Sequence, residues 1–265
     1  MLAHFDGQES LWPRNISTAV IEGRQRPVGY RDVAISYYIG SFNKDSKLAC
    51  YPNYDKLIEN GDLLPSYKPK PNHIFIDLDL STFAGDRKRL DTALRTTLRN
   101  IKKHLEGAKP TVLWTGGGYH IHQPLDLDDM QHTFEDIPEF ARFENPSIKF
   151  LRYAERKLTN GKSDPQHSIS FKSCLTRVPS SVNIKHEDEE DSKVRIIQRW
   201  NGIRAKPTQE FLITDFYVWL MQDVIDEKLK ELCMQKMQFS PSSINTALTT
   251  PITIAWIEKL IQTPI

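Results

Sequence analysis

His73-Ile-Phe-Ile-Asp-Leu-Asp-Leu80 decides the fold. Ile74, Ile76, Leu78 and Leu80 alternate with Phe75, Asp77 and Asp79, the period-2 signature of a strand with one buried face. Both carboxylates therefore share one face of that strand. Outward from it, Asp86 to Glu106 reads as a helix: Leu90, Leu94, Leu98, Ile101 and Leu105 recur at three or four residues, and Gly107 stops it. Thr111-Val-Leu-Trp-Thr115 is strand-like, Gly116-Gly-Gly118 is a turn, and Tyr119 to Pro124 is a second strand. Pro146 to Thr159 is helical again, and a strand around residues 168–178 completes the order βαββαβ.

Right-handed crossovers in that order put both helices on one face of the sheet and leave the other open. The expected class is α+β, with a plait of the RNA-recognition-motif (RRM) type. Before it, residues 34–40 (Ala-Ile-Ser-Tyr-Tyr-Ile-Gly) read as a strand of an N-terminal αβ module that ends at Pro65-Ser-Tyr-Lys-Pro-Lys-Pro71. After it, Lys193 to Arg199 reads as a further strand, ended by the Asn-Gly turn signal in Trp200-Asn-Gly202. From Pro207 the pattern is helical, Phe211 to Met237 and then Pro251 to Ile261, and it breaks off inside a helix-like run. The expected organisation is residues 1–206 as one domain, with modules 1–70 and 71–206, then a helical segment 207–265 cut from a longer chain.

Composition bounds the possibilities. The 265 residues are 39% apolar and 26% charged, near globular averages, which excludes collagenous and wholly disordered chains. No apolar run approaches the ~20 residues that span a bilayer. The start, Met1-Leu-Ala-His-Phe-Asp6, has neither the basic nor the apolar region of a secretion signal. Cys50, Cys174 and Cys233 form no Cys-x-x-Cys pair, which argues against a disulfide framework or a clustered thiolate zinc site. A soluble cytoplasmic protein without a membrane partner is expected. Net charge is only +1, but Arg142 to Lys206 holds 14 Lys and Arg against 8 Asp and Glu, five of the acids lying in Glu187-Asp-Glu-Glu-Asp191. The remainder of that region is strongly basic.

Three groups of residues carry chemistry. Asp77 and Asp79, side by side on one strand face, repel each other unless cations lie between them, and oxygen pairs of this kind suit Mg²⁺ or Mn²⁺. On the second strand His120 and His122 alternate with Tyr119 and Ile121, so both histidines share the face of the aspartates. Gly117 and Gly118 before them let a backbone or a phosphate come close. Third, Arg177, Asn183 and Lys185 place two cations and an amide within nine residues, with Ser180 and Ser181 as hydroxyl donors. Asp164, before Pro165, is a candidate third carboxylate.

Taken together, Phe75-Ile-Asp77-Leu-Asp79, Gly118-Tyr-His120 and Asp164-Pro, followed by Arg177-Val-Pro-Ser-Ser-Val-Asn183-Ile-Lys185, resemble the archaeo-eukaryotic primase superfamily. The nearest likeness is to its primase-polymerase branch, found in archaeal plasmids and mobile elements. The likeness spans residue 73 to about residue 205. It implies an N-terminal αβ module beside an RRM-like module, with residues 207–265 as the beginning of a helix bundle that aids template recognition. It implies that Asp77, Asp79 and Asp164 hold two divalent metals, Mg²⁺ or Mn²⁺, and that His120, Arg177 and Lys185 contact the triphosphate of an NTP or dNTP. The implied partners are a single-stranded DNA template and a helicase or further domain of a longer chain. Two positions depart from the family pattern: Asp164 follows a polar Asn-Gly-Lys-Ser instead of an apolar strand, and the usual Pro-Gly before the Asn is Pro179-Ser180.

The expected activity is template-directed nucleotidyl transfer, that of a DNA primase and DNA polymerase. Two other functions share part of the pattern. Phe75-Ile-Asp77-Leu-Asp79-Leu-Ser81 nearly fits the nucleophile strand of a haloacid-dehalogenase-like phosphatase, but that fold wants a parallel sheet and a later acid pair, and Asp128-Asp129 follows a hairpin. A non-catalytic RRM-like nucleic-acid-binding domain would present aromatics on its open face, where this strand pair offers Asp and His.

Overall fold

The computed structural model describes residues 16–21, 24–28, 46–49, 71–127, 134–171, 174–183, 185 and 192–239, the first three stretches, Glu227 and residues 231–239 as backbone alone. The expected strand at 34–40, the helix at 251–261, Asp128-Asp129 and the acidic block 187–191 lie outside the described residues. The chain divides into two compact units, residues 1–216 and 217–265. The class is α+β, with antiparallel sheets and helices. Among the described residues, no helix is long and apolar enough to cross a membrane.

Ten strands are described. β1 (Ile16–Ile21), β2 (Arg24–Val28) and β3 (Ser46–Ala49) precede β4 (His73–Asp79). A 3₁₀ turn at Leu80–Phe83 leads to α1 (Arg87–His104), then β5 (Leu105–Glu106), β6 (Thr111–Trp114) and β7 (Gly118–Pro124). The short α2 (Pro138–Ala141) and α3 (Pro146–Thr159) come next, followed by β8 (Leu175–Arg177), β9 (Arg195–Gln198) and β10 (Lys206–Pro207). A π-helical turn, Glu210–Thr214, opens into α4 (Asp215–Phe239).

The central sheet runs β4-β7-β6-β9, and every pairing in it is antiparallel. A second sheet runs β2-β1-β3-β8, and β5 pairs with β10. In the central sheet Asp77 lies opposite His120 and Asp79 opposite Gly118. Gly118 is required there: a Cβ on it would overlap the Leu78 carbonyl oxygen. The strands thus approach each other just where the acids end β4.

Local chemistry explains the helices that back this sheet. Asp86 caps α1, its carboxylate accepting from the amides of Lys88 and Arg89 at 2.9 and 3.1 Å, an interaction worth ~1 kcal/mol. Lys102, Lys103 and His104 in the last turn match the negative end of the helix dipole. Leu90, Ala93, Leu94, Thr97 and Ile101 form its buried stripe. The Arg87 guanidinium lies 3.6 Å over the Trp114 ring and donates to the Tyr119 hydroxyl at 2.8 Å, which pins α1 to β6 and β7. α3 starts at Pro146, where a missing N–H is harmless, and ends at Asn160 in the left-handed conformation, φ 53°. Its far side meets an aromatic cluster of Phe134, Phe140, Phe150, Tyr153, Phe211 and Phe216, with ring centroids such as Phe134–Phe150 and Tyr153–Phe211 at 4.9 and 5.1 Å. Each such side chain contributes ~1.5–3 kcal/mol by leaving water.

Two expectations are corrected. The strand foreseen at residues 168–178 is only β8, and it joins the second sheet, with Lys47 opposite Arg177. The fourth place in the central sheet goes to β9, beside β6. The sheet face expected to be open is covered: β7 is buried along its whole length, and Phe75 and His122 are 2% and 0% exposed. His167 and Thr176 are part of the cover, His167 edge-on to the Phe75 ring at 4.8 Å and the Thr176 hydroxyl 2.9 Å from His122 Nε2. An apolar ring beside polar ones explains why: Phe75 loses water contact while a hydroxyl satisfies the histidines.

Candidate functional site

One cleft of about 230 Å³ is lined by Asp77, Asp79, Thr115, Gly117, His120, Asp164, Leu175, Arg177, Asn183 and Lys185. Eight of the twelve residues singled out from the sequence line it, although they span residues 77 to 185. The four that do not are Gly118, whose place is structural as above, the fully buried His122, Ser180 and Ser181. Ser181 is fully buried and donates its hydroxyl to the Val178 carbonyl at 2.7 Å, so it holds a turn and does not face the cleft.

The acids reach the cleft by three routes. Asp77 and Asp79 stand on the same side of β4. Asp79 also caps the 3₁₀ turn, accepting from the Ser81 amide at 2.7 Å. β4 is an edge strand, and the outward-facing backbone of Asp77 is taken up by two neighbours. Its N–H donates to Glu155 Oε1 at 3.2 Å, and its carbonyl accepts from the Asp164 amide at 2.9 Å. Asp164 is therefore tied to β4 by main chain, while its own carboxylate accepts from the Gln166 amide at 2.9 Å. Burial, with the added charges of Asp164, Asp79 and Glu155, pushes the Asp77 carboxyl up to about 7, against an opposing pull from His167. Such a site favours protons or another cation between its acids.

His120 faces Asp77 across the β4–β7 pair, with Nε2 3.7 Å from Oδ2. On the other flank, Arg177 ends β8 and is 7% exposed, whereas Lys185 is exposed. Asn183 donates its amide to the Thr115 carbonyl at 2.7 Å and accepts from the Lys185 amide at 3.2 Å. Its side chain thereby ties the start of the glycine turn, at Thr115, to the backbone of Lys185. Ser180 has φ 71°, the left-handed conformation that favours glycine.

Sequence reasoning missed what stands behind the cleft. Glu155 and His167 are joined at 2.7 Å with both side chains 8% exposed, and Cys174 Sγ lies 3.6 Å from the other nitrogen of His167. Burial alone would lower the imidazole; its hydrogen bonds to Cys174 and Glu155 outweigh that and raise it to about 10. One signal was available: Glu155 sits in the apolar stripe of α3, between Ala154 and Leu158, where a lone carboxylate needs a partner. His167 and Thr176 have no periodic neighbours that would have marked them.

The cleft thus gathers His120, Arg177 and Lys185 together with the carboxylates of Asp77, Asp79 and Asp164. Among the described residues, no three His, Cys, Asp or Glu side chains form a group placed to hold a metal ion. In comparisons with known proteins, neither a family model nor a curated protein matches the chain.

Proposed function

We propose that this protein is a nucleotidyltransferase of the primase-polymerase kind, extending or initiating a strand on single-stranded DNA. The observation that carries the reading is the meeting of Asp77, Asp79 and Asp164 with His120, Arg177 and Lys185 around one cleft. Three carboxylates suit divalent metal, and phosphate donors beside them suit a triphosphate.

The donor type suits Mg²⁺ or Mn²⁺, all three side chains being carboxylates, although among the described residues they are not spaced as a ready-made metal group. Burial first, and then the charges of Asp164, Asp79 and Glu155, push the Asp77 carboxyl upward. Asp77, Asp79 and Asp164 would hold the ions. When bound, such ions supply Lewis-acid activation of a ribose hydroxyl and neutralise charge on the triphosphate. The chain's own residues do the rest. His120 Nε2 donates to a phosphate oxygen; Arg177 and Lys185 neutralise charge growing on pyrophosphate. Asn183 and Thr115 keep the glycine turn in place. Template lies on the basic surface between Arg142 and Lys206, held through its phosphates.

In this reading β4-α1-β6-β7-α3-β9 is an RRM-like plait whose fourth strand occupies the edge beside β6, and α4 begins a helix bundle. The antiparallel pairings on both sides of β7 weigh against the phosphatase fold, which wants a parallel sheet. The test is primer synthesis on single-stranded DNA with labelled ATP or dATP, with Mg²⁺ and Mn²⁺ in turn. Template-dependent incorporation that Asp77→Ala and Asp79→Ala abolish is the expected result. Turnover of an aryl phosphate without incorporation would overturn it.

A further inference from the structure

Behind His120 runs a buried file of polar groups that the reaction above does not use. His120 Nδ1 is 3.0 Å from the Thr176 hydroxyl, which is 2.9 Å from His122 Nε2. His122 Nδ1 is 3.2 Å from His73 Nε2. Thr176, His122 and His73 are each 1% exposed or less. The rings of His73 and Phe75 stack on His122, at 5.3 and 4.8 Å, which fixes its plane.

The direction of every hydrogen bond in this file follows from one donor. The Arg177 backbone N–H reaches His120 Nδ1 at 3.5 Å, and an amide can only donate. His120 Nδ1 is therefore the bare nitrogen. The Thr176 hydroxyl must then give its single proton to that nitrogen, so its oxygen accepts from His122 Nε2–H. Deep burial, with His73, His120 and His167 nearby, holds the His122 imidazole well below its ordinary value and hence neutral. A neutral His122 with its proton on Nε2 has a bare Nδ1, which accepts from His73 Nε2–H. The reversed file would satisfy its own three contacts but would set a proton on His120 Nδ1 against the Arg177 amide.

We infer that Thr176, with His122 and His73 behind it, is a positioning relay that keeps the proton of His120 on Nε2, so that the cleft presents a fixed donor to an anionic oxygen. The identity of that anion as the triphosphate rests on the nucleotidyl-transfer reading; the polarity of the relay does not. The consequence for the reaction is specific. A proton held on Nε2 serves a phosphate oxygen, and it excludes His120 from taking a proton from the attacking hydroxyl. The relay also accounts for a threonine at the centre of β8: it supplies one donor and one acceptor on a short side chain between two rings.

The experiment measures side-chain ¹⁵N–¹H correlations of the whole protein, with His120 identified by its loss in His120→Gln, alongside tripolyphosphate binding. In the wild type His120 should carry its proton on Nε2 and show Nδ1 bare. Thr176→Val, nearly isosteric, removes the 3.0 Å donor and leaves His120 Nδ1 only the long 3.5 Å amide contact. A fraction of the His120 proton should then move to Nδ1, and tripolyphosphate binding should weaken, by up to about tenfold for the loss of one donor to a charged group. Thr176→Ser should restore both. Single-stranded DNA binding should be unchanged in either variant. A wild-type His120 protonated on Nδ1 overturns the relay whether or not any variant folds. So does a folded Thr176→Val with an unaltered His120 signal. If the tautomer pattern is found and the protein incorporates no nucleotide, the relay stands and the nucleotidyl-transfer reading falls.

Discussion

The backbone amide of Asp164 donates to the backbone carbonyl of Asp77 at 2.9 Å, so the third carboxylate of the cleft is delivered by the main chain of one acid gripping the main chain of another. A carboxylate pair held through its side chains would lose its grip on binding a cation. Here the peptide bonds set the spacing, and apart from the Gln166 amide bonded to Asp164 Oδ1 the two carboxylates are left to the cleft. The arrangement needs β4 to be an edge strand, because an interior strand would have given that carbonyl to a neighbour.

Asp77→Asn should abolish incorporation and stabilise the metal-free protein. The Asp77 carboxyl, raised to about 7 from an ordinary 3.8, is a folded-state group that prefers its proton. Its ionisation therefore erodes stability as pH rises from about 4 to about 7, and the erosion is complete above that. Thermal melts in chelator should show the variant above the wild type at pH 8, by on the order of 2–4 kcal/mol, with the gap closing toward pH 4. A gap of the same size at both pH values would contradict the assigned cause.

Glu155→Gln should destabilise the protein with the opposite pH dependence. His167, raised to about 10 from 6.5, contributes stability that is whole below pH 6.5 and is lost as pH climbs through 10. The wild type should exceed the variant most at pH 6 and least near pH 10, as read by denaturant midpoints. Both side chains are buried, so the cost at pH 6 should reach ~3 kcal/mol.

Ser180→Gly should raise the melting temperature. At φ 71° a serine pays ~1 kcal/mol that glycine does not, and the Ser180 amide keeps its 2.8 Å bond to the Val194 carbonyl. Ser180→Val should lower it by more, since a β-branched side chain tolerates that conformation least.

Lys185→Ala should raise the apparent KM for nucleotide by one to two decades, ~1.5–3 kcal/mol for a charge-assisted phosphate contact, with a smaller loss of template affinity. His120→Ala should cut incorporation at least tenfold. Filter binding of single-stranded DNA beside steady-state kinetics separates the two effects. If template affinity falls further than KM rises, Lys185 belongs to the template surface and not to the cleft.

How far the sequence went can be traced residue by residue. β4, α1 and α3 were legible because their signals are local: Asp77 and Asp79 alternate with aliphatics, Asp86 caps and Pro146 starts. α1 ends at His104, not at Gly107, because Leu105 and Glu106 are drawn into β5. The cleft residues were legible because strand alternation puts Asp77 and His120 in phase. β8 was misplaced because Leu-Thr-Arg is too short to carry a period, and its partner β3 is distant in the chain. The cover over Phe75 and the Glu155–His167–Cys174 file escaped for a related reason: each is built from single residues on separate elements, and only the folded chain brings them together.

The pairing of Lys47 with Arg177 has a consequence for how the molecule assembles. The acids and His120 rest on β4, β7 and α3, whose contacts close loops of tens of residues and can form early. Arg177 rests on a strand that must find a partner far upstream, and closing so long a loop is entropically slow. Contact order therefore favours the acids and His120, all set by β4, β7 and α3, assembling before Arg177, which must wait for β8 to find β3.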